Sequence, residues 1–148
     1  MGKIERKTPL RSKDEKSLVV LLKEAQNKFG YVPQELMAEL ARRNGLSLSD
    51  IYVVATFYSF ISTKPLGRNV IKICKSVPCY LKNCETIIKS VEQETGIKPG
   101  QTTADGRFTL QLVNCIGACD KAPAMMINND VHVDLTPSKI SRILKGYK

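Results

Sequence analysis

Five cysteines, Cys74, Cys79, Cys84, Cys115 and Cys119, give this 148-residue chain its only cluster of soft, reactive side chains at ligand-like separations. They make two overlapping C-x4-C pairs, Cys74/Cys79 and Cys79/Cys84, and one C-x3-C pair, Cys115/Cys119. Four thiolates drawn from two separated loops hold a tetrahedral zinc, ligate an iron–sulfur cluster, or pair as disulfides. The basic N-terminus, MGKIERKTPLRSKDEK, has no apolar h-region, which predicts no secretion signal and a cytoplasmic chain. Thiols stay reduced in that compartment, so disulfides are disfavoured. Structural zinc most often uses C-x2-C knuckles. Both gaps here are longer, which suits a larger core of bridged metals and leaves zinc as the alternative. Gly117, inside Cys115-Ile-Gly-Ala-Cys119, would let the backbone come close to such a core.

Periodicity chooses between the overlapping pairs. Leu81, Cys84, Ile88 and Val91 recur at spacings of three and four, which places Cys84 on the apolar face of a helix. A buried free cysteine there acts as a small hydrophobe. Cys74 ends a strand-like run and Cys79 follows Pro78 at a helix start, so both border one loop. The working ligand set is therefore Cys74, Cys79, Cys115 and Cys119.

The elements that must position these thiols are legible on either side. Ser12-x-x-Glu15 reads as a capping box ahead of Leu18, Leu21, Leu22, Ala25 and Phe29, with Gly30 as the stop. Pro33 opens a second helix ending near Asn44-Gly45, and Ser47-x-x-Asp50 caps a third that carries Ile51, Val54, Ala55 and Tyr58. The run Phe57-Tyr58-Ser59-Phe60 reads as a core plug at that helix end. After Pro65-Leu66-Gly67 the period changes to two. Asn69–Cys74 reads as a strand, residues 80–95 as one helix, and Phe108, Leu110 and Leu112 as a second strand. The stretches 124–127 and 131–135 add short strands, and Thr136-Pro137 opens a last helix to about Lys145. Met125-Met126 would shield the second cysteine loop or serve as plain strand core. An α/β fold follows, with a basic tail at 1–13, a helical segment at 14–66 and an α/β domain at 67–148.

The net charge of +9 invites a nucleic-acid reading, but it sits in the ends. Residues 1–13 and 139–148 each carry +4, leaving about +1 between them, whereas nucleic-acid binders stripe a folded surface with charge and aromatics. No apolar run approaches the ~20 residues of a membrane helix. There is no G-x-G-x-x-G and no P-loop, so no nucleotide pocket is announced. His132, the one histidine, reads as a solvent-facing strand residue, and Ser59, Ser62 and Thr63 have no base partner. A thiol–disulfide oxidoreductase would want C-x-x-C at the first loop.

Three ordered motifs carry a resemblance: Cys74-Lys-Ser-Val-Pro-Cys79, then Gly100-Gln-Thr-Thr-Ala-Asp-Gly106 with Phe108-Thr-Leu110, then Cys115-Ile-Gly-Ala-Cys119-Asp-Lys-Ala-Pro123. Together they resemble the small thioredoxin-like 2Fe-2S subunit of NADH dehydrogenase modules. Gly30-Tyr31-Val32-Pro33 and Thr56-Phe57-Tyr58-Ser59-Phe60 resemble that family's helical N-terminal region, so the likeness runs from about residue 15 to 145. Gln101 stands where many relatives have Glu, and Cys84 where small or polar residues are usual.

The resemblance implies an N-terminal helical bundle followed by a thioredoxin-like 2Fe-2S ferredoxin domain. It makes Cys74, Cys79, Cys115 and Cys119 the cluster ligands. It further implies a non-catalytic one-electron relay, whose partners are an FMN-containing NAD(P)H-binding flavoprotein and a larger iron–sulfur subunit, without nucleic acid or membrane insertion. Apart from the resemblance, Lys75 and Lys121, beside these cysteines, read either as charges that raise the reduction potential or as plain solvated lysines. Between parent complexes, Asp120-Lys-Ala-Pro-Ala-Met-Met126 favours a soluble hydrogenase or electron-bifurcating oxidoreductase. The equivalent subunit of respiratory complex I is the alternative, and a zinc-stapled interaction protein is the alternative of another class.

Overall fold

The computed structural model describes residues 16–148. The basic tail and the capping box read at Ser12 and Glu15 lie outside them. Helix α1 (Leu18–Phe29) opens instead on Ser17, whose hydroxyl accepts from the Val20 N–H. It ends at Gly30, whose positive φ of 79° lets the chain leave the helix. Helix α2 (Gln34–Asn44) follows Pro33, and α3 (Leu48–Phe57) carries the expected capping box between Ser47 and Asp50. Two hydrogen bonds from Ser47 hold the Asp50 carboxyl below its ordinary pKa. The three helices close over Leu22, Val32, Met37, Leu40, Ile51 and Ala55.

The aromatic run at the end of α3 is not a core plug. Phe57 is 77% exposed, and Tyr58 and Phe60 are exposed as well. Ile51 and Ala55 define the buried side of α3, and Phe57 lies about 200° around the helix from Ala55. Tyr58 is already extended, so its ring never joins that stripe.

Strand β1 (Asn69–Cys74) pairs in parallel with β2 (Phe108–Val113), residue for residue from Asn69↔Phe108 to Cys74↔Val113. Short antiparallel strands β3 (Met125–Ile127) and β4 (Asp130–His132) complete the sheet in the order β2-β1-β3-β4. The crossover from β1 to β2 contains two helices, α4 (Val77–Leu81) and α5 (Cys84–Thr95), rather than the single one expected. Asn83 separates them with a left-handed φ of 60°, a conformation asparagine tolerates. Helix α6 (Pro137–Lys145) packs beside α5. Ile71, Ile73, Leu110 and Met125 of the sheet meet Ile87 and Val91 of α5 and Ile140 and Leu144 of α6 in one core. Met125 is thus strand core and takes no part in the cysteine cluster. His132 is half-buried rather than solvent-facing, because Tyr147 folds back to place its hydroxyl 2.9 Å from Nε2. Among the described residues no helix is long and apolar enough to cross a membrane.

Gly67 joins the helical part to β1. Its N–H donates to Thr109 Oγ1 at 2.6 Å, and a Cβ there would stand 2.8 Å from the Gly106 carbonyl oxygen. That neighbour is backbone and cannot swing aside. Gly67→Ala is therefore expected to destabilise the fold by about 1–3 kcal/mol, read as a lower urea midpoint at unchanged m-value.

Candidate metal centre

The parallel pairing of β1 and β2 brings both cysteine loops to the same, C-terminal end of the sheet. Cys74 is the last residue of β1 and is buried. Cys79 lies on the inner side of α4, buried against Cys74, Cys84 and Ala124. Cys115 leaves β2 two residues after Val113, and Cys119 opens a 3-10 turn (Cys119–Lys121); both are exposed. Cys84 is the first residue of α5 and sits among the other thiols rather than in the aliphatic core. Leu81, expected on its stripe, is 74% exposed because the break at Asn83 turns it outward.

The second loop presents its thiols as a pair. Cys115 and Cys119 Sγ are 3.8 Å apart. Two thiolates held at ~2.3 Å on one tetrahedral metal stand about 3.8 Å from each other, so this pair matches one metal vertex. Among the described residues no three ligand-type side chains gather closely enough to hold a single ion. A binuclear core asks only for one pair on each metal. The all-sulfur donor set also suits iron–sulfur ligation.

Backbone groups that the residue types did not announce complete the site. The Gly117 N–H donates to Cys115 Sγ at 3.4 Å, and the Ala124 backbone donates to Cys79. Cys74 Sγ donates to the Asn114 carbonyl at 3.1 Å, and the Ser76 hydroxyl donates to that same oxygen. Gly117 is required by conformation, not by space: its φ is 83°, and nothing lies within 4 Å of where a Cβ would stand. Ile88, Ile116, Ala118, Ala122 and Val133 line the inner side. No side chain marks a backbone donor in advance, so only the glycine at 117 hinted at any of this.

The electrostatics are those of crowded thiols. Burial pushes the Cys79 thiol up to about 11, and the hydrogen bond its S–H donates to Cys74 adds to it. Burial likewise raises Cys84, with the Cys74 charge contributing. Cys119 is raised chiefly by its hydrogen bond with Cys115, and it also feels Cys74 across the gap between loops. Several thiolates cannot coexist here without cations to neutralise them, which is the condition that metal loading relieves.

Comparison with known proteins agrees with this chemistry. A family profile for the thioredoxin-like 2Fe-2S ferredoxin matches residues 2–148. An NADH-quinone oxidoreductase subunit of Pseudomonas aeruginosa is 44% identical over 126 residues, 85% of this chain and 76% of the relative. Its counterpart in the NADH-quinone oxidoreductase of Escherichia coli is 46% identical over 127 residues, 86% of this chain and 76% of the relative. Among solved structures, the NAD+-reducing NiFe-hydrogenase in its H2-reduced state superposes with a TM-score of 0.70 at 26% identity over 86% of this chain. The likeness spans only 21% of that hydrogenase chain. Sequence match, fold and thiol arrangement together make this chain a member of the thioredoxin-like 2Fe-2S ferredoxin family, whose cofactor is a 2Fe-2S cluster.

Proposed function

We propose that this chain is the electron-transfer subunit of an NADH-quinone oxidoreductase, in the place that its bacterial relatives take. The observation that carries the reading is the 44–46% identity to those relatives over most of both chains. The soluble hydrogenase setting favoured by the Asp120–Met126 stretch gives way to it, because the hydrogenase likeness is 26% and covers a fifth of that chain. The proposed ligands are Cys74, Cys79, Cys115 and Cys119, with Cys84 structural. When bound, the cluster supplies a one-electron relay. Around it, the Gly117 and Ala124 N–H groups stabilise charge on sulfur, and the apolar lining excludes water from the inner side. In this reading NADH oxidation is the work of a flavoprotein partner, and this chain passes single electrons.

Two further features support a place in a larger assembly. Helix α3 is apolar on nearly every side, and Leu48, Tyr52, Val53 and Phe57 remain exposed. The helical segment and the α/β part also close over separate cores, which supports their division as units 14–66 and 67–148. Anaerobic purification with iron, sulfide and zinc quantitation tests the reading. About two irons and two sulfides per chain, with an EPR signal appearing on dithionite reduction, are expected. One zinc and no sulfide would sink it. Recovery of hydrogenase subunits instead of quinone-reductase subunits, on affinity purification from the native cell, would return the chain to the other setting.

A further inference from the structure

Helix α4 has two opposed sides with different content. Cys79 faces inward, exposed by 1%, while Val77, Tyr80 and Leu81 are exposed by 69%, 58% and 74%. The outward position of Leu81 is not an accident of a fraying end. A continuous helix through residue 95 would place Leu81 on the buried stripe of Cys84, Ile88 and Val91, and the left-handed Asn83 prevents that. The chain thus adopts a sparsely populated backbone conformation and leaves a leucine in water as the result. The apolar outer side is bracketed by lysines: Lys75 precedes the helix and Lys82 follows it, and Lys121 lies beside Cys119. All three are exposed, and among the described residues none has a carboxylate within 4 Å. Glu85 and Asp120 stand in the same region and leave the local balance positive.

We propose that the outer side of α4, Val77, Tyr80 and Leu81 between Lys75 and Lys82, is the surface on which a redox partner protein docks to reach the cluster, and that the partner presents an apolar recess bordered by carboxylates. The proposal rests on the electron-transfer reading above. Exposed Cys115 and Cys119 bring the proposed ligand set to the surface beside this helix, so a partner seated here is close to the cluster. A second copy of this chain would set lysine against lysine. The chain's own residues 1–13 carry +4 and offer no complementary charge. An anionic lipid surface offers the right charge but no electron acceptor, and the test separates it.

The experiment uses the cluster-loaded full chain and the FMN-containing flavoprotein proposed as its partner, purified from the native cell. Tyr80→Ser/Leu81→Ser is expected to keep iron, sulfide and the reduced EPR signal, weaken flavoprotein binding at least tenfold, and slow NADH-driven cluster reduction in proportion. Lys82→Glu, which leaves the apolar side chains in place, is expected to weaken binding at low ionic strength and to flatten its salt dependence. Unchanged affinity in both variants with the cluster intact overturns the docking surface and leaves the cluster assignment standing. Variants that lose sedimentation with phosphatidylglycerol vesicles but keep flavoprotein affinity overturn it in favour of a membrane. A wild-type chain that binds the flavoprotein but carries no cluster overturns the electron-transfer reading itself.

Discussion

Alanine at Cys74, Cys79, Cys115 or Cys119 is expected to cost the chain its cluster: acid-labile sulfide falls toward zero and the EPR signal of the reduced protein disappears. The effect is large because each proposed thiolate would hold the cluster directly, and alanine offers no donor in its place. Water reaches the vacancy most easily at Cys115 and Cys119, which are exposed, so those two variants should lose iron fastest. Cys84→Ala is the matched control. It deletes a buried sulfur among the same thiols, at a stability cost of about 1 kcal/mol, and leaves the four proposed ligands untouched. Loss of the cluster from the Cys84 variant, or its retention without Cys79, would overturn the proposed ligand set.

A comparable effect is expected from Gly117→Val, and a much smaller one from Gly117→Asn. Nothing stands within 4 Å of the missing Cβ, so neither side chain collides with a neighbour. What differs is the backbone. A β-branched residue at φ 83° costs roughly 1–3 kcal/mol, whereas asparagine visits the left-handed region readily. Valine should therefore pull the loop into another conformation, withdraw the Gly117 N–H from Cys115 Sγ, and part the 3.8 Å thiol pair. The iron-to-protein ratio after anaerobic reconstitution measures this directly. Equal occupancy in both variants would mean that the loop does not depend on its left-handed residue.

Much of this architecture is written in local patterns. The capping box at Ser47 and Asp50, the alternation of Asn69–Cys74, and the Pro137 start of α6 each follow from chemistry within a few residues. Period alone cannot see the break at Asn83, because asparagine is an ordinary helix-surface residue until tertiary contacts force a left-handed turn. The same blindness puts Leu81 inside and Phe57 in the core, where the fold has neither. His132 escapes a local reading because its partner, Tyr147, arrives from the far end of α6. At the thiol site the cysteines are visible as types and spacings. Their hydrogen-bond donors are not, since Ala124 and Gly117 contribute only backbone.

The parallel register of β1 against β2 also governs assembly. Before those strands pair, Cys74 and Cys79 are separated from Cys115 and Cys119 by residues 80–114, and each loop holds only one pair of the proposed ligands. Closing so long a loop carries an entropic penalty that local structure cannot offset by itself. Cluster insertion must then wait on a long-range folding event. Held by the proposed ligands, the inorganic core would tie the two strand ends together as a covalent bridge does. Iron acquisition becomes a checkpoint on the fold: a chain whose strands slip by one residue points Cys74 to the wrong side of the sheet, and it leaves the assembly line uncoloured.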